Sequence, residues 1–580
     1  MTRIRVLAAT AALMLVACLV VIAQGAQHVS TPNASRGAIK PVTEAMLENP
    51  DPSEWLNWRR TLDGWGYSPL NQINKSNVSQ LQLVWSWGLA PGESQPTPLV
   101  HDGVMYMPEP GGGVQALDAV NGDLIWDFKP PGAQGGPARS TPTRNLAIFG
   151  DKVFVATSTV HLVALNAQTG NVVWDHQVAD AKLGYNYTSG PIIARGVLVQ
   201  GITGCERYKE DICFISGHDP DTGKELWRTS TVARPGDPGG ETWENLPLTF
   251  RAGGDAWIPG SYDPKTNLIY WGTAQAKPWA QFARGTRGDA LYTNSTLALD
   301  PATGKMQWYY QHLPGESHDM DETFERVLVD INGRSSLFTM GKLAILWEID
   351  RKTGAFVAAH DLGYQNILDV NPRTGKVTYR PNMLPQQGVE LMFCPDSSGF
   401  KSLRAMAYHP ETKAFYIPLN IACERGTFNG VQQVVGGGGT GAVKRVNIPH
   451  PESPEGVGEF LAMDATTGRV LWRHRTRTPP NTAALTTGGG LAIEGNWNRY
   501  LYVYDAANGK ILYQTRLPTA IQGFPITYAV NGKQYIAVPV GTGGGAWQGA
   551  VVTDVAPEQK MPPPTNSIFV FALPDAPGKK

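Results

Sequence analysis

The chain has 580 residues, 42% hydrophobic and 17% charged, so it can bury a large core and is not a disordered polymer. Its 49 Lys and Arg nearly cancel its 50 Asp and Glu, which leaves no electrostatic footprint for nucleic acid or an anionic lipid surface. The 64 glycines, 44 prolines and 17 tryptophans suit many short strands joined by tight turns and argue against a helical bundle.

At the start, Arg3 and Arg5 precede an almost wholly apolar run from Val6 to Ala23, and the small residues Gly25 and Ala26 follow. This pattern predicts a cleaved export signal over residues 1–26. A run of about 18 apolar residues would also just span a bilayer, so a retained anchor is the competing reading. Leu15, Val16, Ala17 and Cys18 resemble a lipoprotein box, but the apolar run continues beyond Cys18. Residues 27–52 read as a linker, and 53–580 as one domain.

Removal of the signal leaves Cys205, Cys213, Cys394 and Cys423. An even number in an exported chain favours disulfides, and four cysteines allow three connectivities. Local pairing, Cys205 with Cys213 and Cys394 with Cys423, is the simplest. The chain has no CxxCH motif for attaching a c-type haem, so electrons from any redox reaction must leave to a separate carrier.

One repeat runs through the rest. ALDAVNGDLIW begins at Ala116, ALNAQTGNVVW at Ala164, GHDPDTGKELW at Gly217 and ALDPATGKMQW at Ala298. EIDRKTGAFVA follows at Glu348, AMDATTGRVLW at Ala462 and VYDAANGKILY at Val503, with looser relatives around Asp263 and His409. Each copy reads as strand, turn, strand: the Asp-x-x-Thr-Gly core supplies an Asx-type turn with glycine where φ must be positive. The terminal Trp is large and flat enough to lie between neighbouring sheets. Spacings of roughly 40 to 50 residues match one four-stranded propeller blade. The long gap from Asp350 to Asp464 leaves room for an extra blade around His409, which predicts an all-β, eight-bladed propeller with tryptophan-ended repeats. NSIFVFALPD, near the C-terminus, reads as the closing strand.

These repeats, from Trp55 to Pro574, resemble the methanol/ethanol family of dehydrogenases that use pyrroloquinoline quinone (PQQ). In PGESHDMDETFERVLVD the resemblance implies Asp319 as the catalytic base beside a metal ion, with Asp321 as the additional carboxylate of lanthanide-using members. A hard trivalent ion favours such extra anionic oxygen. The plainer reading of Asp321 is an ion pair with Arg326. In GITGCERYKEDICFISGHD, Glu206 matches a metal ligand and Glu210 is the weaker alternative. In GTAQAKPWAQ, Gln275 stands where the family has a ligating Asn.

The resemblance also assigns cofactor contacts. Trp257 would form the floor under the quinone, Arg144 would pair with a PQQ carboxylate, and Thr188 would be a further contact. Lys342 would lie near the quinone oxygens and act in catalysis, while Gln95 falls where a Glu is commoner. Two departures stand out: Ala138 and Arg139 replace an adjacent Cys pair, and Asn481 replaces a Trp. Both imply a more open and more polar pocket on that side.

The implied protein is periplasmic and oxidises an alcohol with PQQ and either Ca²⁺ or a lanthanide ion. Its electrons go to a separate acceptor such as a c-type cytochrome, and a homodimer is compatible with the resemblance. No nucleic acid is involved, and membrane contact comes only through the signal. The competing class is a non-enzymatic propeller scaffold of the cell envelope, which would not need Arg144, Glu206, Trp257 and Asp319 together.

Overall fold

The computed structural model describes residues 37–131, 141–541, 548–563 and 565–575. The expected export signal, Ala138 and Arg139 lie outside these residues.

The fold begins with its turns. At Asp300 the carboxylate accepts the backbone N–H of Ala302 (3.0 Å) and of Thr303 (2.9 Å), and the Thr303 hydroxyl (2.9 Å). The Gly304 N–H closes back on the Asp300 carbonyl at 2.8 Å. All these bonds lie within five residues, so the turn forms without long-range help. Asn166, Asp219, Asp350 and Asp464 make the same bonds. Gly304 has φ 67°, and a Cβ there would come 2.3 Å from the Trp227 ring of the preceding sheet. Backbone hand and close approach both require glycine.

Among the described residues, the strands between such turns pair into eight antiparallel sheets of four or five strands. They span 99–128, 147–177, 192–230, 261–311, 327–361, 407–476, 485–516 and 526–572. The seventh gains Tyr67–Ser68 in parallel, and the eighth gains Gln82–Gly88 beside Ser567–Ala572. An early and a late segment of the chain thus share one sheet, which leaves the late strand no free edge on that side.

Four of the repeat tryptophans join their sheet to the next. Trp126 donates to the Ala167 carbonyl (3.1 Å), Trp174 to Pro220 (3.0 Å), Trp227 to Pro301 (2.9 Å) and Trp472 to Ala506 (3.0 Å). Burying a large apolar ring in this way stabilises by about 2–3 kcal/mol. The fifth sheet, whose repeat ends in Ala358, uses another residue: His360 lies over Gly468 of the sixth. The segment read as a linker is packed from Val42 onward. Val42 and Gly150 exchange backbone hydrogen bonds at 2.8 Å, and Leu47 of the helix Glu44–Glu48 is buried.

Antiparallel order divides each sheet into two ends. The repeat turns join third strands to fourth and lie at one end. Connections from second strand to third, and from one sheet to the next, lie at the other. Several of those connections are long and carry their own structure. The short pair Ala252–Gly253 with Ala276–Lys277 is one case, and the sheet of Glu390–Phe393, Ala422–Phe428 and Ala442–Pro449 is another. Both disulfides are here: Cys205–Cys213 clips one connection, and Cys394–Cys423 ties two together. Among the described residues no helix is long and apolar enough to cross a membrane.

Candidate active site

A cavity of about 300 Å³ lies at the connection end. Arg144, Thr188, Glu206, Trp257, Gln275, Asp319, Asp321 and Lys342 all line it, each from a different point along these connections. Gln95 does not line it but stands behind Arg144, its amide oxygen accepting from Nε at 2.7 Å. Glu210 is exposed and outside the cavity, so Glu206 is the carboxylate this loop delivers.

Asp319, Asp321 and Lys342 form the charged centre. The Lys342 ammonium lies 3.0 Å from the Asp319 carboxylate and 3.1 Å from that of Asp321. Asp321 therefore pairs with Lys342 and not with Arg326, whose guanidinium donates to the Glu322 carbonyl at 2.6 Å. Burial pushes the Asp319 carboxyl well above the usual carboxylate range; Lys342 pulls it down and Asp321 pushes it further up. Burial works against the charge of Lys342, but the two carboxylates outweigh it and raise its pKa. Asp319 also has φ 72°, a conformation that costs a non-glycine residue about 1–3 kcal/mol and that gathers at functional sites.

Gln275 joins this centre. Its backbone N–H donates to Asp321 at 3.2 Å, its side-chain nitrogen donates to Asp319, and its side-chain oxygen has no partner. A half-turn of the amide would exchange donor and acceptor, so the same arm can serve a carboxylate or a cation.

Trp257 and Arg144 make the other wall. The Arg144 guanidinium carbon is 5.0 Å from the Trp257 ring centroid, and Nη1 donates to the Thr188 carbonyl at 2.7 Å. Burial pulls the Arg144 pKa down to about 9. Phe324 meets the Trp257 ring edge-on, with centroids 5.4 Å apart, and fixes its plane.

Sequence reasoning missed Asp255 and Lys277. The pairing of Ala252 with Lys277 brings both to the cavity wall, where the Lys277 ammonium lies 3.3 Å from Asp255 and 3.7 Å from Glu206. Asp255 also accepts the N–H groups of Gly204 (2.8 Å) and Cys205 (3.1 Å), which anchors the loop that carries Glu206. Burial opposes both charges. Lys277 nonetheless holds the Asp255 carboxyl below its ordinary range, and the surrounding carboxylates hold Lys277 above its own. The only signal in the sequence is one charged residue in an otherwise uncharged run, Thr-Ala-Gln-Ala-Lys-Pro-Trp.

Comparison with known proteins places the chain in a family. The PQQ family model described as the β-propeller domain of glucose/ethanol/alcohol dehydrogenases matches residues 55–359 and 475–536. The chain belongs to the PQQ-dependent alcohol dehydrogenases. The dehydrogenase subunit of the quinone alcohol dehydrogenase from Gluconacetobacter polyoxogenes is 34% identical to it, across 86% of this chain and 73% of that one. The quinoprotein alcohol dehydrogenase PedH of Pseudomonas putida is 30% identical, across 88% and 90%. A solved europium-containing methanol dehydrogenase superposes with a TM-score of 0.84 at 27% identity, covering 91% of this chain and 99% of its own.

The residues of this dehydrogenase suit a flat polyanionic ring and a hard cation. Thr188 Oγ1, Gln275 Oε1, Trp279 Nε1 and Ser402 Oγ are buried on the cavity lining without a protein partner. Each such atom costs about 1–3 kcal/mol if left unmet, so their clustering marks a place for a polar ligand. The cation's donors share one cavity but stand apart within it. Among the described residues, the carboxylates of Glu206, Asp319 and Asp321 do not gather within 4.8 Å of one another. Lysines bridge them instead, Lys342 for one pair and Lys277 for Glu206 and Asp255. Asn481 does not line this cavity; its amide donates to the Ile521 carbonyl at 3.0 Å.

Proposed function

We propose that this dehydrogenase is an exported, eight-bladed propeller that oxidises an alcohol to an aldehyde or ketone with Asp319 as the base. The observation that carries the reading is the cavity. There the Asp319, Asp321 and Lys342 cluster meets Trp257, Arg144 and several buried polar atoms that lack partners. In this reading the eight sheets are blades docked through their tryptophans. Trp257, Arg144, Thr188 and Lys342 hold PQQ, with Gln95 steadying Arg144. Glu206, Gln275, Asp319 and Asp321 would hold Ca²⁺ or a lanthanide ion. When bound, PQQ would supply the hydride-accepting chemistry and the ion the Lewis-acid polarisation that the alcohol's oxidation needs.

The remaining work falls to side chains. Asp319 takes the hydroxyl proton, and burial in the cavity wall gives its carboxylate the proton affinity a base needs. Lys342, 3.0 Å away, holds that carboxylate in place and supplies positive charge where negative charge grows during the transfer. The flat face of Trp257 and the fixed guanidinium of Arg144 orient the ring. Electrons then pass to a separate carrier such as a c-type cytochrome, and residues 1–26 direct the chain to the periplasm.

Reconstitution tests this directly. The protein is loaded with PQQ plus Ca²⁺ or La³⁺ and offered a panel of alcohols with an artificial electron acceptor. Alcohol-dependent reduction that needs both PQQ and a metal ion is expected. No turnover with any alcohol and either ion would overturn the reading.

A further inference from the structure

Two lysines face the carboxylates of the cavity, and the proposed chemistry uses only Lys342. We infer that Lys277 is an ion-selectivity residue, a fixed positive charge that shifts the site toward a divalent and away from a trivalent cation. This rests on the reading of Glu206, Gln275, Asp319 and Asp321 as the metal ligands.

What distinguishes Lys277 is how it is held. Among the described residues Lys342 is paired only with Asp319 and Asp321, both proposed ligands, so an incoming cation takes its partners. Lys277 shares Glu206 but is also paired with Asp255, 3.3 Å away. Asp255 is no proposed ligand. It is fixed by the N–H groups of Gly204 and Cys205, beside the Cys205–Cys213 disulfide. When Glu206 turns to a metal ion, Asp255 keeps the ammonium in the wall. The positive charge stays.

The charge balance then matters. Four carboxylates on the lining (Glu206, Asp255, Asp319, Asp321) face three cations (Arg144, Lys277, Lys342), a net charge of −1; a neutral side chain at 277 would make it −2. Coulomb energy scales with the product of the charges, so Lys277 repels a trivalent ion half again as strongly as a divalent one. Its removal should tighten both, with the logarithms of the gains near three to two. A tenfold gain for Ca²⁺ corresponds to about thirtyfold for a trivalent ion.

The test uses the full chain loaded with PQQ and stripped of metal. Tb³⁺ is titrated and read by luminescence sensitised through Trp257 and Trp279, which line the cavity, and Ca²⁺ is read by displacement. For Lys277→Met the Tb³⁺ Kd should fall about thirtyfold and the Ca²⁺ Kd about tenfold, while Lys277→Arg keeps the wild-type ratio. If Lys277→Met does not fold, Lys277→Gln carries the same expectation. An unchanged ratio overturns the inference. So does equal weakening of both ions with rescue by Lys277→Arg, because Lys277 would then only brace the Glu206 loop. If the wild type binds neither ion at the cavity, the metal reading itself falls, which is a separate result.

Discussion

The two ends of the sheets solve opposite problems. At the turn end one chemical solution recurs: an Asp or Asn side chain closes a five-residue turn, and a glycine lets the previous sheet's tryptophan lie on it. His360 over Gly468 is a local substitution within that scheme, and the Asp and Asn side chains that close the turns stay part-exposed. At the connection end no two loops are alike. They differ in length, they are clipped by both disulfides, and they bury Asp255, Asp319, Asp321 and Lys342, with Lys277 part-buried, around one cavity. Repetition gives a rigid frame cheaply, because each unit needs only its neighbours. Chemistry needs unlike groups brought to one point, so the irregular connections carry it.

If the division is real, substitutions at the two ends should fail differently. The largest effect is expected at the cavity. Asp319→Asn keeps the shape and a residue type that tolerates φ 72°, but removes the proton acceptor. Turnover should fall by about 10³-fold or more while the urea midpoint stays near wild type. Retained activity would remove Asp319 as the base. At the turn end Gly170→Ala should do the reverse. Gly170 has φ 72°, and a Cβ there would sit 2.7 Å from the Trp126 ring. Strain and overpacking together should cost about 2–4 kcal/mol in urea unfolding, with kcat/KM of the folded enzyme unchanged. A drop in kcat/KM without a loss of stability would break the comparison.

The same division explains what the sequence disclosed. The turns were legible because their bonds close within five residues and recur. The His360 contact on Gly468 was not, since it replaces a missing tryptophan two residues beyond the expected position. Asp319, Trp257 and Glu206 were singled out only through resemblance, because their partners lie far away in the chain. Asp255 and Lys277 escaped both routes. Their pairing is created by a two-residue sheet contact between Ala252–Gly253 and Ala276–Lys277, a feature with no periodic signal. The packing of Val42 against Gly150 was hidden for the same reason: one isolated bridge, more than a hundred residues apart, leaves no pattern.

A third residue tests whether buried charge at the connection end is always tied to the site. Glu494 is the penultimate residue of the strand Leu491–Gly495, near that end, yet it does not line the cavity. It is buried, its one hydrogen-bond partner is the Tyr504 hydroxyl at 3.1 Å, and its second oxygen has none. Burial raises its pKa to about 8, against a small downward pull from Tyr504. In the unfolded chain the group returns to about 4.3. The folded state therefore binds the proton more tightly, so the stabilisation is fully present below pH 4 and is lost as pH rises toward 8. A shift this large would correspond to roughly 5 kcal/mol, and entry of water into the opened site should reduce it to about 2 kcal/mol. Glu494→Gln keeps the shape and an acceptor for Tyr504 without the charge. Its urea midpoint should match wild type near pH 4 and exceed it above pH 8, with the gap opening between. Parallel curves across that range would mean that Glu494 is paired with something at the cavity end after all, and that its charge belongs to the site.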